Sequence, residues 1–364
     1  MTDDIEPLRS LNSMIDWLDQ AGVGAGPITQ VVTLTGGTQN VLVKFTRDGH
    51  DYVLRRPPTN KRRNSDEAMR REARVLAALT GSTVPHPQLR ASEEDESRFG
   101  DACFVMDAID GFTATEEVPA HIVASREAQR RMGFDAVDAL LGIQGIDPHT
   151  VGLPVRDHWI DSQVDRWASL YASHATHVGW STDQLEGVDH VAEWLRSNTP
   201  ETSRTGLVHG DFHFGNILFS RENGGLTAVI DWELASVGDP LLDLGHFLAS
   251  YPVSNDPRTT GTAEPLTELP SRGELISRYI AHTGRNKTDV TWFRILACFR
   301  LAIIIEGSHA RAIAGLVSAK TGERLHKAAS YLMEQAVSLV LAEQTAGTVA
   351  QPITASTLPK GSHT

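Results

Sequence analysis

The stretch Leu207-Val208-His209-Gly210-Asp211-Phe212-His213-Phe214-Gly215-Asn216-Ile217-Leu218-Phe219 decides how this chain is read. Apolar runs at its two ends bracket a polar core, the pattern of a loop strung between short strands. Inside the core, His209-Gly210-Asp211 is followed five residues later by Asn216. A second carboxylate, Asp231, closes the apolar run Ala228-Val229-Ile230, just ahead of Trp232 and Glu233. The turn Glu222-Asn223-Gly224-Gly225 lies between the two apolar runs.

Two carboxylates and an amide in this order are the parts that phosphoryl transfer from a nucleotide requires. One carboxylate orients the attacking hydroxyl and accepts its proton, while a second carboxylate and a neutral oxygen hold a magnesium ion on the phosphates. Magnesium takes hard oxygen ligands, which Asn216 and Asp231 supply. The bland alternative makes all of them loop-capping polar residues, and it needs a separate reason for each.

Upstream, Leu8, Leu11, Ile15 and Leu18 recur at helical spacing until Gly22 to Pro27 end the helix. Three β-rich runs follow: Val31–Leu34, Val41–Phe45 and Tyr52–Arg55, with Gly36-Gly37-Thr38-Gln39-Asn40 and Asp48-Gly49 as turns. Residues 64–79 read as a helix with Ala68, Val75 and Leu79 on its apolar stripe, and 103–106 as another strand. From about Pro119 the chain is mostly helical, most continuously over 287–344. From Thr345 it is rich in Thr, Ala, Pro and Ser without periodicity, as in a disordered tail.

The expected architecture is therefore α+β and bilobal. A β-rich N-lobe covers 1–108, a larger helical C-lobe covers 109–344, and the tail covers 345–364, with a hinge over Met106 to Phe112. Clefts between such lobes are favoured ligand sites.

Composition narrows the classes. With 40% hydrophobic and 22% charged residues the chain is an ordinary globular one. Its formal charge of −13 argues against a general nucleic-acid binder, which needs a cationic face. Cys103 and Cys298 sit in apolar surroundings, as buried thiols do, at no zinc-site spacing. Met1 to Pro7 is polar and acidic without a signal-peptide core, and the apolar run Leu301–Ile305 is far too short to span a bilayer. A cytoplasmic protein without membrane partners is expected.

The His-Gly-Asp loop with its Asn216 and the following Ile230-Asp231-Trp232 resembles the aminoglycoside phosphotransferase and choline kinase family, relatives of the protein kinases. The matching elements cover roughly 30–320. The resemblance implies a protein-kinase-like fold, ATP and Mg²⁺ as cofactors, and a small-molecule hydroxyl as acceptor. It makes Asp211 the catalytic base and Asn216 and Asp231 the metal ligands, with His209 bracing the loop and no role assigned to His213. In Gly238-Asp239-Pro240-Leu241-Leu242-Asp243, it puts Asp239 at a helix start and Asp243 behind the catalytic loop.

In the nucleotide half, the resemblance makes Gly37, Thr38 and Asn40 part of a phosphate-covering turn, where glycine lets backbone approach phosphates. A plain hairpin would look the same. Kinases carry a strand lysine paired to a helix glutamate; here Arg55 stands at the lysine position, with Glu72 as partner and Glu67 as runner-up. Arginine can bind phosphate bidentately or mark a weakened site. Phe104 to Asp107, including Val105 and Asp107, would run past the adenine.

Tyr52–Pro58 and Phe299–Ala312 look like the kinase-like domain that some organisms fuse to acyl-CoA dehydrogenases, implying a hydroxy-acid or hydroxyacyl acceptor. Trp159, Trp167, Glu306, His309 and Arg311 are substrate candidates, though Ile303-Ile304-Ile305 suggests a buried helix in which Glu306 and Arg311 pair with neighbours. Three other readings compete: an antibiotic kinase, a nucleotide-binding pseudokinase, and a protein kinase. The last lacks room for an activation segment, because Gly238-Asp239-Pro240 follows Asp231 so soon.

Overall fold

The computed structural model describes residues 11–34, 40–58, 60–61, 63–201, 203–252 and 266–349, with side chains described to residue 346. Gly37 and Thr38 lie outside the described residues. The fold is α+β, a five-stranded antiparallel sheet followed by a largely helical region.

Helix α1 (Leu11–Gln20) precedes the antiparallel strands β1 (Thr29–Leu34), β2 (Val41–Arg47) and β3 (His50–Arg56). Helix α2 (Ser65–Leu79), strand β4 (Leu89–Glu93), the short α3 (Glu96–Phe99) and strand β5 (Cys103–Asp107) complete this part, in sheet order β1-β2-β3-β5-β4. Strand β4 is absent from the sequence expectation because Leu89-Arg90-Ala91-Ser92-Glu93 is a polar edge strand with little hydrophobic alternation. Side chains alternate across the sheet. Val43, Phe45, Leu54 and Val105 therefore meet Met14, Trp17 and Leu18 of α1 in one apolar cluster. Helix α2 buries Met69, Glu72, Ala73, Val75, Leu76 and Leu79, positions at helical spacing.

The helical region runs through α4 (Ala120–Val123), α5 (Arg126–Gln144), α6 (Asp161–Ser173) and α7 (Val188–Ser197). Four short strands then interrupt it: β6 (Gly206–Val208), β7 (Ile217–Phe219), β8 (Leu226–Val229) and β9 (Ser236–Gly238), paired as β6·β9 and β7·β8. Helices α8 (Leu241–Ser250), α9 (Arg272–Thr283), α10 (Lys287–Ile313) and α11 (Ala319–Val349) close the chain. Helix α11 continues past Thr345, since an established helix gains one hydrogen bond for each residue added.

The chain divides into two compact units. The first takes residues up to 163 together with 199–297, and so includes the sheet, the four short strands, α8 and α9. The second takes 164–198 and 298 onward. In the first, Gly245 of α8 lies so close to α10 that a Cβ there would sit 2.4 Å from the Phe293 carbonyl oxygen. In the second, Gly322 of α11 lets that helix approach α10, since a Cβ would sit 2.3 Å from Ala312 Cβ. Among the described residues, no helix is long and apolar enough to cross a membrane. Both cysteines are buried thiols, and burial pushes Cys103 up to about 12.

Candidate active site

The loop from β6 to β7 carries Asp211, and its polar backbone is tied down from three sides. Asp243, in the first turn of α8, accepts the backbone N–H of His209 at 2.6 Å and of Gly210 at 2.9 Å. Gly210 has φ +88, and a Cβ there would sit 2.5 Å from the Leu234 carbonyl oxygen, so only glycine fits. The His209 ring donates from Nε2 to the Ile230 carbonyl at 2.9 Å and accepts the Asp211 N–H on Nδ1 at 3.2 Å. Phe212 and Phe214, two apart in the loop, meet Phe247 of α8 edge to face, with ring centroids 5.6 and 5.2 Å away. Local sequence thus supplies the anchors, and α8 supplies their sockets. Asp239 accepts the Leu241 N–H at 3.0 Å at the start of that helix, and a buried ion pair of 2.9 Å ties it to Arg285.

Asn216 donates from its amide to the Asp211 carbonyl at 2.9 Å and to the Asp211 carboxylate at 3.1 Å. That leaves its side-chain oxygen as an acceptor. Two imidazoles flank the same carboxylate: His213 at 3.5 Å and the buried His246 at 3.4 Å, with their rings stacked 5.9 Å apart. Burial alone would raise the Asp211 carboxyl. The hydrogen bond from His213 and the fields of His246, His213 and His209 outweigh it, holding the group well below the usual carboxylate range. Asp211 is therefore an ionised acceptor at neutral pH.

Asp231 follows β8 with φ +64, a left-handed conformation that costs a residue with a Cβ about 1–3 kcal/mol. Its carboxylate meets Arg55 of β3 at 2.7 Å. The same guanidinium pairs with Glu72 of α2 at 3.0 Å and Glu233 at 3.1 Å, and Glu233 also accepts from Asn40 at 2.8 Å. Burial would lower the Arg55 pKa, but Glu72, Asp231 and Glu233 raise it well above the ordinary value. Glu72 is pushed up to about 7 by burial, with Asp231 and Glu233 adding to the effect against the pull of Arg55. Three carboxylates share one cation, so the cluster carries excess negative charge. Together with the free oxygen of Asn216, this hard-oxygen set suits a magnesium ion.

A cavity of about 870 Å³ gathers these groups. Asn40, Arg55, Glu72, Asp107, Asp211, Asn216 and Asp231 all line it. The segment Ala108 to Gly111 lines it too, and Phe112 exchanges two backbone hydrogen bonds of 2.9 Å with Phe219 to fix that segment against β7. Asp107 holds Arg90 through two 2.7 Å bonds. The Val105 side chain belongs to the apolar cluster on the sheet's other face and Met106 faces the cavity, as strand alternation requires, which leaves Val105 only its backbone for a cavity ligand.

Glu67, the runner-up to Glu72, is exposed and pairs with Arg74 at 2.5 Å. In the second unit, Glu306 is fully buried and accepts from Trp180, His309 and His326. Arg311 is exposed and donates to Ser308 at 3.0 Å. Sequence reasoning missed Glu233, His246 and the cavity pair Lys44–Asp51, joined at 2.7 Å. A signal existed for His246: it follows Asp243 by three residues, on the same face of α8.

A five-stranded sheet with one buried helix glutamate, followed by a braced aspartate loop and a second strand-end aspartate, defines a kinase-like phosphotransferase. The chain belongs to the phosphotransferase enzyme family known as APH, whose family model matches residues 30–272. A relative from Gallus gallus, acyl-CoA dehydrogenase family member 11, is 30% identical over 318 residues, covering 84% of this chain and 40% of that protein. The chain thus spans well under half the length of the curated relatives it matches. A candidate aminoglycoside phosphotransferase from Ralstonia eutropha JMP134 is similar at a TM-score of 0.74 and 25% identity, covering 92% of this chain and 98% of that one. The aminoglycoside phosphotransferase APH(4)-Ia, solved as a variant in ternary complex with ADP and hygromycin B, shares the fold at a TM-score of 0.58 and 16% identity, covering 89% and 96%.

Proposed function

We propose that this chain transfers the γ-phosphoryl group of ATP, with magnesium, to a hydroxyl of a small molecule. The observation that carries the proposal is the convergence of Asp211, Asn216, Asp231, Arg55 and Glu72 on one cavity. The ADP complex of APH(4)-Ia, which shares the fold, supports a nucleotide as the ligand. In this reading residues 1–108 form the nucleotide lobe and 109–344 the catalytic lobe.

Asp211, held ionised, accepts the proton of the acceptor hydroxyl as its oxygen bonds the γ-phosphorus. The bond from that phosphorus to the β-bridging oxygen breaks, and ADP leaves with the electron pair. Arg55, fixed by Glu72, is placed to hold the α- and β-phosphates through its fork of donors. Asn216 and Asp231 would hold magnesium, which neutralises phosphate charge when bound. His246 and His213 keep the Asp211 carboxylate oriented.

The acceptor is a hydroxy acid or a hydroxyacyl derivative. Support comes from the relatives, acyl-CoA dehydrogenase family members that match this chain over 29% and 40% of their length. An aminoglycoside acceptor is the second reading, favoured by the hygromycin B complex of APH(4)-Ia.

The test is ADP release with Mg-ATP against hydroxy acids, hydroxyacyl-CoAs, amino alcohols and aminoglycosides. Acceptor-dependent release is expected with the first two classes. Asp211→Asn should lower it by about 10²–10⁴-fold while leaving nucleotide binding intact. Nucleotide binding without turnover on any acceptor, unchanged by that substitution, would identify a pseudokinase.

A further inference from the structure

We propose that Glu306, His309 and His326 form a binding site for one divalent transition-metal ion of the zinc type. The cluster lies wholly in the second unit and supplies none of the phosphoryl-transfer groups. One ligand atom from each residue lies within 4.8 Å of the others.

The sequence builds the site in two halves. Glu306 and His309 are three apart on α10, so both project from one face. His326 comes from α11, four residues after Gly322 and on the same face. At Gly322, α11 lies close against Ala312 and His309 of α10. The missing Cβ brings the third ligand within reach of the other two. A Glu-x-x-His pair on one helix, completed from a facing helix, is a donor arrangement that helical bundles use for metals.

The charge balance favours an ion over a plain hydrogen-bond network. The Glu306 carboxylate is fully buried, and a buried charge needs a counter-charge. Its three donors are Trp180 Nε1 at 3.2 Å, His309 Nδ1 at 2.8 Å and His326 Nδ1 at 2.9 Å. A divalent ion held between the two Nδ1 atoms and a carboxylate oxygen would supply that counter-charge, with the two rings, their centroids 4.3 Å apart, binding it as neutral ligands. Trp180, donating to the same carboxylate, would orient it as an outer partner of the ion.

The donor set decides the metal. Two imidazoles and one carboxylate select zinc and its neighbours cobalt and nickel, whereas magnesium prefers an all-oxygen shell. Three protein ligands leave a fourth position for water or an external donor.

The experiment uses the whole chain, stripped by chelator dialysis and kept in excess magnesium, titrated with Co²⁺ and then Zn²⁺. One equivalent of Co²⁺ is expected to produce a visible ligand-field band that Zn²⁺ abolishes. His326→Ala, on a half-buried side chain, should keep its circular dichroism, lose the band, and weaken Zn²⁺ binding at least about tenfold. Long-range ¹H–¹⁵N spectra of the unmodified protein give a reading free of substitutions: both Nδ1 resonances should shift on adding Zn²⁺. No saturable Co²⁺ or Zn²⁺ binding, unshifted Nδ1 resonances, or an unchanged band in folded His326→Ala would overturn the proposal. The cluster would then be a carboxylate–imidazole hydrogen-bond network.

Discussion

Arg55 Nη2 lies 2.7 Å from Asp231 Oδ1, so the strand cation and the strand-end carboxylate are in direct contact. The same guanidinium reaches Glu72 through its other terminal nitrogen. Lysine has one ammonium and no fork, so it cannot repeat this two-sided grip. Arg55→Lys is expected to raise the KM for Mg-ATP about tenfold, the worth of one charge-assisted hydrogen bond. Arg55→Ala strands buried Glu72 and should destabilise the fold by about 3–5 kcal/mol in urea titration. An Arg55→Lys variant with unchanged KM would show that the fork plays no part.

Asp243 offers a contrast with Asp211. It accepts two buried backbone N–H groups and faces no substrate. Asp243→Ala leaves both amides unpaired at about 1–3 kcal/mol each, so stability and turnover should fall together. Asp211→Asn should lower turnover far more than its loss of stability accounts for, because the variant keeps the backbone bonds that hold the loop. Calorimetry alongside kinetics separates the two roles.

Gly245 is a packing glycine with no chemistry. Its missing Cβ allows α8 to lie against the Phe293 carbonyl. Gly245→Ala gains helix propensity, yet the overlap requires a backbone shift, and the net effect should be a loss of about 1–3 kcal/mol. Thermal unfolding of the variant checks this; a stabilised protein would mean the helices separate easily.

Glu274 sets a stability step in acid. The hydrogen bond from Arg130, and then those from Ser271 in the capping box of α9, lower its pKa from 4.5 to about 2. A depressed carboxylate stabilises the fold fully above pH 4.5, and that contribution disappears as the pH falls to about 2. The melting-temperature gap between wild type and Glu274→Gln should therefore be widest above pH 4.5 and close toward pH 2. A gap that is flat with pH would contradict this.

The elements legible in the sequence are those with local signals. The strands around Asp48-Gly49 show turn residues between β-rich runs, and α2 shows its stripe. The pairing of Arg55 with Glu72, 17 residues apart, came from the family resemblance and had no local signal. Glu233 was not readable, since its contact with Arg55 crosses from one element to another, and His246 was readable only as a neighbour of Asp243 on α8, because its contact with Asp211 crosses elements too. Glu306 carried the opposite lesson: a charged residue after three isoleucines pointed to a buried helix, and burial is what it has. The side-chain face of Val105 was not readable, because side chains alternate along a strand and one residue reverses the face.

The second unit is assembled from two stretches of chain, 164–198 and 298 onward, with residues 199–297 belonging to the first. On a ribosome adding roughly 5–20 residues per second, α6 and α7 emerge about 6–30 s before α11 exists to join them. Until then Val164, Trp167, Tyr171, Val191 and Leu195, all buried in the finished protein, have no complete core to enter. The newborn chain therefore carries a sticky, waiting surface while its catalytic half can already fold. Such transiently exposed apolar surface is the kind that promotes aggregation during synthesis.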